Sequence, residues 1–436
     1  MISKNLLNGI RDNKFELKNF YLGIILLPSL PSISAIFLLL SVILLSIKSK
    51  SYLKDLFNIT LLLSSFLIIL SCILNTVFIN NIYKGVYEID QNWIGILNWL
   101  PYFYFFWLFQ KFSTNMQRRK KIIFLFLLGS IPVIISCITQ YFFKLHGPFT
   151  FLNGLIIFYS RKIDPMDGMT GLFSNTNYLG IWLNIIWPFS LVFFIDKKSK
   201  PKIRVLSAIL IFTILLCTIL TFSRSAWLGL LLGSLIILGL KSLKWILPSL
   251  LLIVTPVLIG LGFWPNNNLV EISQKLIPEI ILHQFKFNAF ENLYSLTRVQ
   301  IWSSSLKYIF ERPLIGWGSS SFPILFKIDN GQDFFAHSHN IILEIAISYG
   351  IPAALLIIGT ILTLIYISKG KIFLRNSLGQ KYSYDKAWWA AVVIIFFCHM
   401  FDVQYFDVRI ALTLWILLGG LRNIIRIEDY QSKNIF

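Results

Sequence analysis

Charge is what this sequence has least of. Only 14% of its 436 residues are charged and 56% are hydrophobic, with a mean hydropathy of +0.71. A soluble domain carries about a quarter charged residues, so an ordinary water-soluble fold is excluded. Dyad alternation is missing too; the apolar residues come in solid blocks such as IIFLFLLGSIPVIISCITQYF, which excludes a transmembrane barrel. Cysteine is sparse, and Cys72, Cys137, Cys217 and Cys398 all fall inside apolar runs with no ligand spacing, so small core residues are expected rather than disulfides or metal ligands. There is no P-loop, no G-x-G-x-x-G and no G-x-S-x-G, which leaves ATP-driven and serine-hydrolase chemistry without a motif. No fixed-period repeat, low-complexity tract or separate cytoplasmic domain is present.

What remains is a run of segments approaching the roughly 20 apolar residues that cross a bilayer. Twelve are read, at about 19–30, 32–47, 57–79, 92–110, 122–142, 177–195, 205–222, 225–240, 245–264, 340–367, 387–401 and 410–424. The fold class predicted is an all-α polytopic transmembrane bundle. Residues 1–264 carry helices one to nine, 265–335 form a long extracytoplasmic loop, and 336–436 carry helices ten to twelve with a tail. The opening MISKNLLNGIRDNKFELKNF is polar for too long to be a signal peptide, so the first helix is expected to be retained.

The net charge of +19 raises the question of nucleic acid. Threading the chain with both termini in the cytoplasm places KSKSYLK, KFSTNMQRRKK, DKKSKPKIR, KSLK and KGKIFLRNSLGQKYSYDK on the inner side, together with most of the lysines and arginines. That is the positive-inside rule, and it explains the excess with no nucleic acid involved. The expected home is a plasma membrane, the inner one in a bacterium.

The long loop has order of its own. Leu269, Ile272, Leu276 and Ile280 fall at helical spacing, with a kink expected at Pro278. A second helix opens at Thr297 as N-cap and carries Arg298 and Trp302 on one face before Pro313 stops it and Gly316 and Gly318 make a turn.

Four polar clusters converge on the outer side. Ser223-Arg224-Ser225 sits in a tight gap between helices; a snorkelling arginine is the bland reading. Arg298 and Arg312 lie in the loop, where ion pairs with Glu311 or Glu291 would explain them. His337-Ser338-His339-Asn340 precedes the tenth helix, where free N–H groups favour an anion. DVQYFDVR turns at the same face, with an Asp407–Arg409 structural pair as the plain account. Glu344, the one carboxylate inside an apolar helix, is expected to be paired and to orient the histidines. The H-x-H spacing fits zinc, but no third and fourth ligand stand at workable spacing, so no metal and no cofactor is expected. Arginine forks match phosphate oxygens, and a histidine near neutrality takes a proton from a hydroxyl. The set fits group transfer from a lipid diphosphate.

At these residues the chain resembles the O-antigen ligase and polymerase family of bacterial envelope glycosyltransferases. The likeness runs from about Gly171 to Leu421 through GLFSNTNYLG, TFSRSAWLGLLLG, the Arg298–Trp302–RPLIGWGSSSF segment, HNIILEIAISYGIP and FDVRIALTLWILLGG. The resemblance implies metal-independent, inverting transfer of a glycan from a polyprenyl-diphosphate carrier to a glycan or lipid acceptor at the periplasmic face, as in lipopolysaccharide and other surface polysaccharides. It implies Arg224 and Arg298 on the diphosphate and His339 at the acceptor hydroxyl, with His337, Arg312, Asn340 and Glu344 as further substrate-binding candidates. After His339, Asn340 and Gly350, Ala353 stands where ligases of the family carry a second glycine, and Ala354-Leu355 where they carry threonines. This leaves polymerase and ligase both open. One cyanobacterial branch of the superfamily was once proposed to transport inorganic carbon, so a solute or bicarbonate transporter is the alternative, and a non-catalytic envelope scaffold is a third.

Overall fold

The computed structural model describes residues 14–49, 51–82, 89–163, 168–277, 279, 282, 297–331, 335–377 and 383–432. Its helices, in chain order, are α1 (Lys14–Leu26), α2 (Pro31–Ile47), α3 (Leu56–Ile82), α4 (Ile89–Ile94), α5 (Leu100–Phe109), α6 (Met116–Gly129) and α7 (Ile131–Phe142), then a hairpin of β1 (Phe149–Phe151) and β2 (Ile156–Phe158). There follow α8 (Thr176–Ile195), α9 (Pro201–Leu220), α10 (Arg224–Leu238), α11 (Leu243–Gly260), α12 (Asn267–Leu276), α13 (Thr297–Glu311), α14 (Ser321–Asn330), α15 (Ile341–Ser377), α16 (Ser383–Cys398) and α17 (Val408–Ser432). The chain is an all-α polytopic membrane protein: seven helical stretches among the described residues are long and apolar enough to cross a bilayer, and α2 and α10 are shorter apolar helices.

Each of the twelve apolar segments coincides with helix, and prolines break two of them. Pro101 stands in the first turn of α5 after a 3₁₀ turn, and Pro132 in the first turn of α7, where a residue with no N–H is tolerated but cannot continue a preceding helix. The hairpin and α14 have no counterpart in the periodicity. Pro278, Ile280 and Glu291 lie outside the described residues.

The core is unevenly shared. In α8 and α17, 83% and 89% of the span is buried in protein, against 22% in α9 and 12% in the stretch Leu240–Gly260. The best-buried helices, α8 and α17, stand next to Asn177 and Asp402, while α9 and α11 expose long apolar faces of the kind that suit lipid.

The longest helix, α15, is broken at Gly350, which takes φ +86. Its apolar stretch Ile341–Phe373 would reach about 50 Å if straight, far beyond a hydrocarbon core of about 30 Å. The segment after Pro313 fills the break. Trp317 N–H donates to Ile347 O at 2.7 Å, Gly318 N–H to Ser348 O at 2.9 Å, and Ile351 N–H to Pro313 O at 2.7 Å. A Cβ on Gly350 would stand 2.3 Å from Leu314 O, and one on Gly316 2.5 Å from Ile347 O. Glycine is required at both places, and RPLIGWG is thereby a splint that fixes the first nine residues of α15.

Candidate functional site

Three of the four polar clusters meet through hydrogen bonds, and Arg298 of the fourth feels the charges of Asp402 and Arg224. His339 Nδ1 lies 2.9 Å from Asp402 Oδ1, and His337 Nε2 lies 3.5 Å from the same oxygen. Asp402 Oδ2 accepts from Asn177 Nδ2 at 2.8 Å, and Val403 N–H donates to Oδ1 at 3.0 Å. The Ser223 hydroxyl donates to Asn177 Oδ1 at 2.7 Å and stands 3.1 Å from Ser225 Oγ. One hydrogen-bonded chain therefore joins the start of α10, the first turn of α8, the α16–α17 turn and the loop entering α15.

The backbone around His339 is built to hold it. His339 takes φ +53, a conformation that costs a non-glycine residue energy unless its neighbours enforce it. On one side, Ser338 N–H donates to Glu344 at 2.8 Å; on the other, Asn340 Oδ1 accepts from Ile342 and Leu343 N–H at 2.9 and 3.3 Å. Asn340 Nδ2 donates to Met400 O, and Ile341 N–H to His399 O at 2.9 Å. The reading of this helix start as a free anion site is corrected here: its first N–H groups are all taken.

The hydrogen bonds fix the tautomers. His339 N–H donates to His337 Nδ1 at 3.3 Å, so the His337 proton sits on Nε2 and faces Asp402. His339 Nδ1–H donates to Asp402, which leaves Nε2 of His339 as the lone pair turned to the site. Burial pushes the His337 imidazole down to about 4, with Asp402 opposing, so it is neutral at pH 7. Burial acts to raise the Asp402 carboxyl, but the His339 hydrogen bond, the two histidines and Asn177 outweigh it and hold the group below the usual carboxylate range.

Arg224 and Arg298 are both exposed, and neither has a hydrogen-bonding or ion-pair partner among the described residues. They are close enough to feel each other: desolvation lowers Arg298 from its ordinary value, Asp402 opposes, and Arg224 adds to the lowering. Arg224 opens α10, whose N-cap Ser223 makes no side-chain cap, and the N–H groups of Arg224, Ser225 and Ala226 find no acceptor among the described residues. One turn along α13 from Arg298, the buried Trp302 Nε1 is likewise without a partner. Unpaired cations, open N–H donors and a spare indole donor together describe an anion site.

Arg312 goes elsewhere. It donates to Asn75 Oδ1 at 3.1 Å and stacks on Trp317 at 4.2 Å, bracing the splint, while Glu311 faces Lys307 at 3.9 Å. Asp407 and Arg409 pair through Arg409 Nε at 2.8 Å, with the guanidinium 3.6 Å over Phe173. The residues the sequence reading left unassigned are Asp402, Asn177 and Ser223, although each lies in a motif it quoted.

Ligand atoms of His337, His339 and Asp402 lie within 4.8 Å of one another, so the fold supplies the third metal-ligand type that sequence spacing did not. Donors already satisfy both Asp402 oxygens, and two arginines disfavour another cation. The chemistry of the set fits a hydrogen-bonded carboxylate–imidazole pair.

Comparison with known proteins bears on this cluster. The sequence profile of the O-Antigen ligase family matches residues 208–358, which include Arg224, Arg298, His337 and His339 and stop short of Asn177 and Asp402. The chain is 29% identical over 181 residues to the ComP-specific O-oligosaccharyltransferase of Acinetobacter baylyi (strain ATCC 33305 / BD413 / ADP1); the match covers 40% of this chain and 31% of that relative's length. The likeness to the O-antigen ligase family is carried by residues 208–358.

Proposed function

We propose that the protein transfers a glycan from a polyprenyl-diphosphate carrier to an acceptor hydroxyl at the extracytoplasmic face of a plasma membrane, with both termini in the cytoplasm. The observation that carries the reading is the pairing of two unpartnered arginines with a carboxylate-held histidine at one end of the bundle. Arg224, Arg298 and the open N-terminus of α10 bind the diphosphate. The acceptor hydroxyl attacks the anomeric carbon, the bond from that carbon to the diphosphate oxygen breaks, and the sugar inverts. The proton passes to His339 Nε2, and the negative charge stays on the departing lipid diphosphate between the arginines. Asp402 holds His339 in the required tautomer and stabilises the imidazolium. His337, Glu344 and Asn340 position His339, and Arg312 acts on the splint.

The relative's name specifies a protein acceptor, ComP, for that protein. For this chain we infer the class only: a hydroxyl on a glycan, lipid or protein. The test is reconstituted transfer from a polyprenyl-diphosphate glycan. His339→Ala is expected to abolish product while membrane insertion and thermal stability stay near wild type, and a normal product yield from that variant rejects the mechanism.

A further inference from the structure

The hairpin between α7 and α8 is not used by that chemistry. Its register pairs Phe149 with Phe158 and Phe151 with Ile156, so alternation puts all four on one face. On that face Phe149 is 43% and Phe151 52% exposed, while Ile156 is half-buried and Phe158 packs against the core; the tip residues Leu152 and Leu155 are 68% and 47% exposed. Two strands alone are marginal in water, and an apolar patch of this kind marks a contact surface. The tip is costly as well: Leu152, Asn153 and Gly154 all take left-handed φ, +51, +53 and +87, and a leucine adopts that conformation reluctantly.

We propose that this hairpin is a lipid-surface anchor, laid on the bilayer at the same end of the bundle as the His339–Asp402 pair, with its aromatic face and tip in the headgroup–acyl boundary. Continuity identifies the occupant. The hairpin follows directly on Phe142, Phe143 and Leu145, exposed by 60%, 70% and 55% at the end of the span Met116–Phe142, so its patch extends a lipid-facing surface. Lys144, Arg161 and Lys162 are exposed at its base, where lipid phosphates lie. The unpaired strand edges keep it out of the hydrocarbon interior.

The anchor is bolted to the site. Gln140 Nε2 donates to Arg161 O at 2.6 Å and to Thr170 Oγ1 at 3.0 Å, and Gln140 Oε1 accepts from Thr170 and Gly171 N–H at 3.1 and 2.8 Å. The next turn carries Asn177. The hairpin thus fixes the bilayer height beside the two arginines; that consequence, unlike the anchoring itself, rests on the proposed lipid-diphosphate substrate.

The test uses nitroxide labels on Leu152→Cys and, as an aqueous control at the other end of the bundle, Lys198→Cys. The four native cysteines are buried and compete poorly for label. In nanodiscs of phosphatidylethanolamine and phosphatidylglycerol, the label at 152 is expected to relax more strongly with oxygen than with a water-soluble nickel chelate, and the label at 198 the reverse. Equal nickel access at the two positions overturns the proposal, as does a label at 152 shielded from both reagents, which would mean a protein contact. The measurement needs no transfer activity, so it fails or succeeds independently of the proposed reaction.

Discussion

Two helices begin at the candidate site and treat their first N–H groups in opposite ways. At α15 every early donor is occupied, by Asn340 Oδ1 and His399 O, and the loop before it is pinned by Glu344. At α10 the N-cap serine turns its hydroxyl away to Asn177 and leaves the helix end open beside Arg224. A filled terminus fixes a side chain, here His339 in a left-handed conformation. An open terminus with unpaired cations waits for an anion. In the proposed reaction, one helix start would hold the base and the other the leaving group.

The comparison breaks most sharply at the cations. Arg224→Ala and Arg298→Ala are each expected to lower transfer by about 10²-fold or more, the scale of losing one preorganised donor to a developing oxyanion. Arg298→Lys should recover only part, since a point charge does not replace a bidentate fork. Wild-type rates in both alanine variants would make the open terminus an ordinary solvated helix end.

On the other side, Asp402→Asn keeps the shape of the carboxylate and removes its charge. Transfer should fall about 10²-fold, within the usual range for general-base assistance, and the double variant with His339→Ala should be no worse than His339→Ala alone. Additive losses would separate Asp402 from the histidine.

Acid gives the next effect in size. His337 is depressed from 6.5 to about 4, so the unfolded chain binds more protons than the folded one between those values. Stability from this group is intact at pH 7 and declines as pH falls through that window, by on the order of 3 kcal/mol at the lower end. Asp402, also depressed, adds a loss below its ordinary range of about 4. Thermal melts of His337→Gln should show a flatter pH profile between 6.5 and 4 than the parent. Identical profiles would remove His337 as the titrating group.

Asn340→Ala tests the filled terminus. Losing an N-cap costs about 1 kcal/mol, and here the same side chain also ties α15 to Met400 O. A lowered melting temperature with donor affinity unchanged is expected; a donor-binding defect at full stability would assign Asn340 to the substrate instead.

Much of the fold was legible because hydropathy alone marks membrane helices, and all twelve segments from 19–30 to 410–424 coincide with helix. The hairpin was not, since FTFLNGLIIFY is an apolar run whose partner strand is local and whose exposure needs coordinates. In the site, Arg224, Arg298, His337 and His339 were visible as polar groups at helix ends. Asp402 and Asn177 were hidden for a physical reason: their role comes from a pairing across 225 residues of sequence, and each looks locally like a turn or cap residue. Arg312 resembles Arg298 in its loop position, and only packing against Trp317 and Asn75 sets it apart from the cluster.

The smallest effect sharpens the comparison furthest. A serine at an N-cap ordinarily contributes about 1 kcal/mol to stability by accepting from the second or third N–H of its helix. Ser223 makes no such bond; its hydroxyl donates to Asn177, which in turn donates to Asp402. Ser223→Ala should therefore leave the melting temperature almost unchanged and raise the apparent KM for the lipid-linked donor by a few-fold, as Asn177 and through it Asp402 lose their register with Arg224. A stability loss of the full capping size, with kinetics unaltered, would mean that Ser223 closes α10 in solution, and the two helix starts would no longer differ in kind.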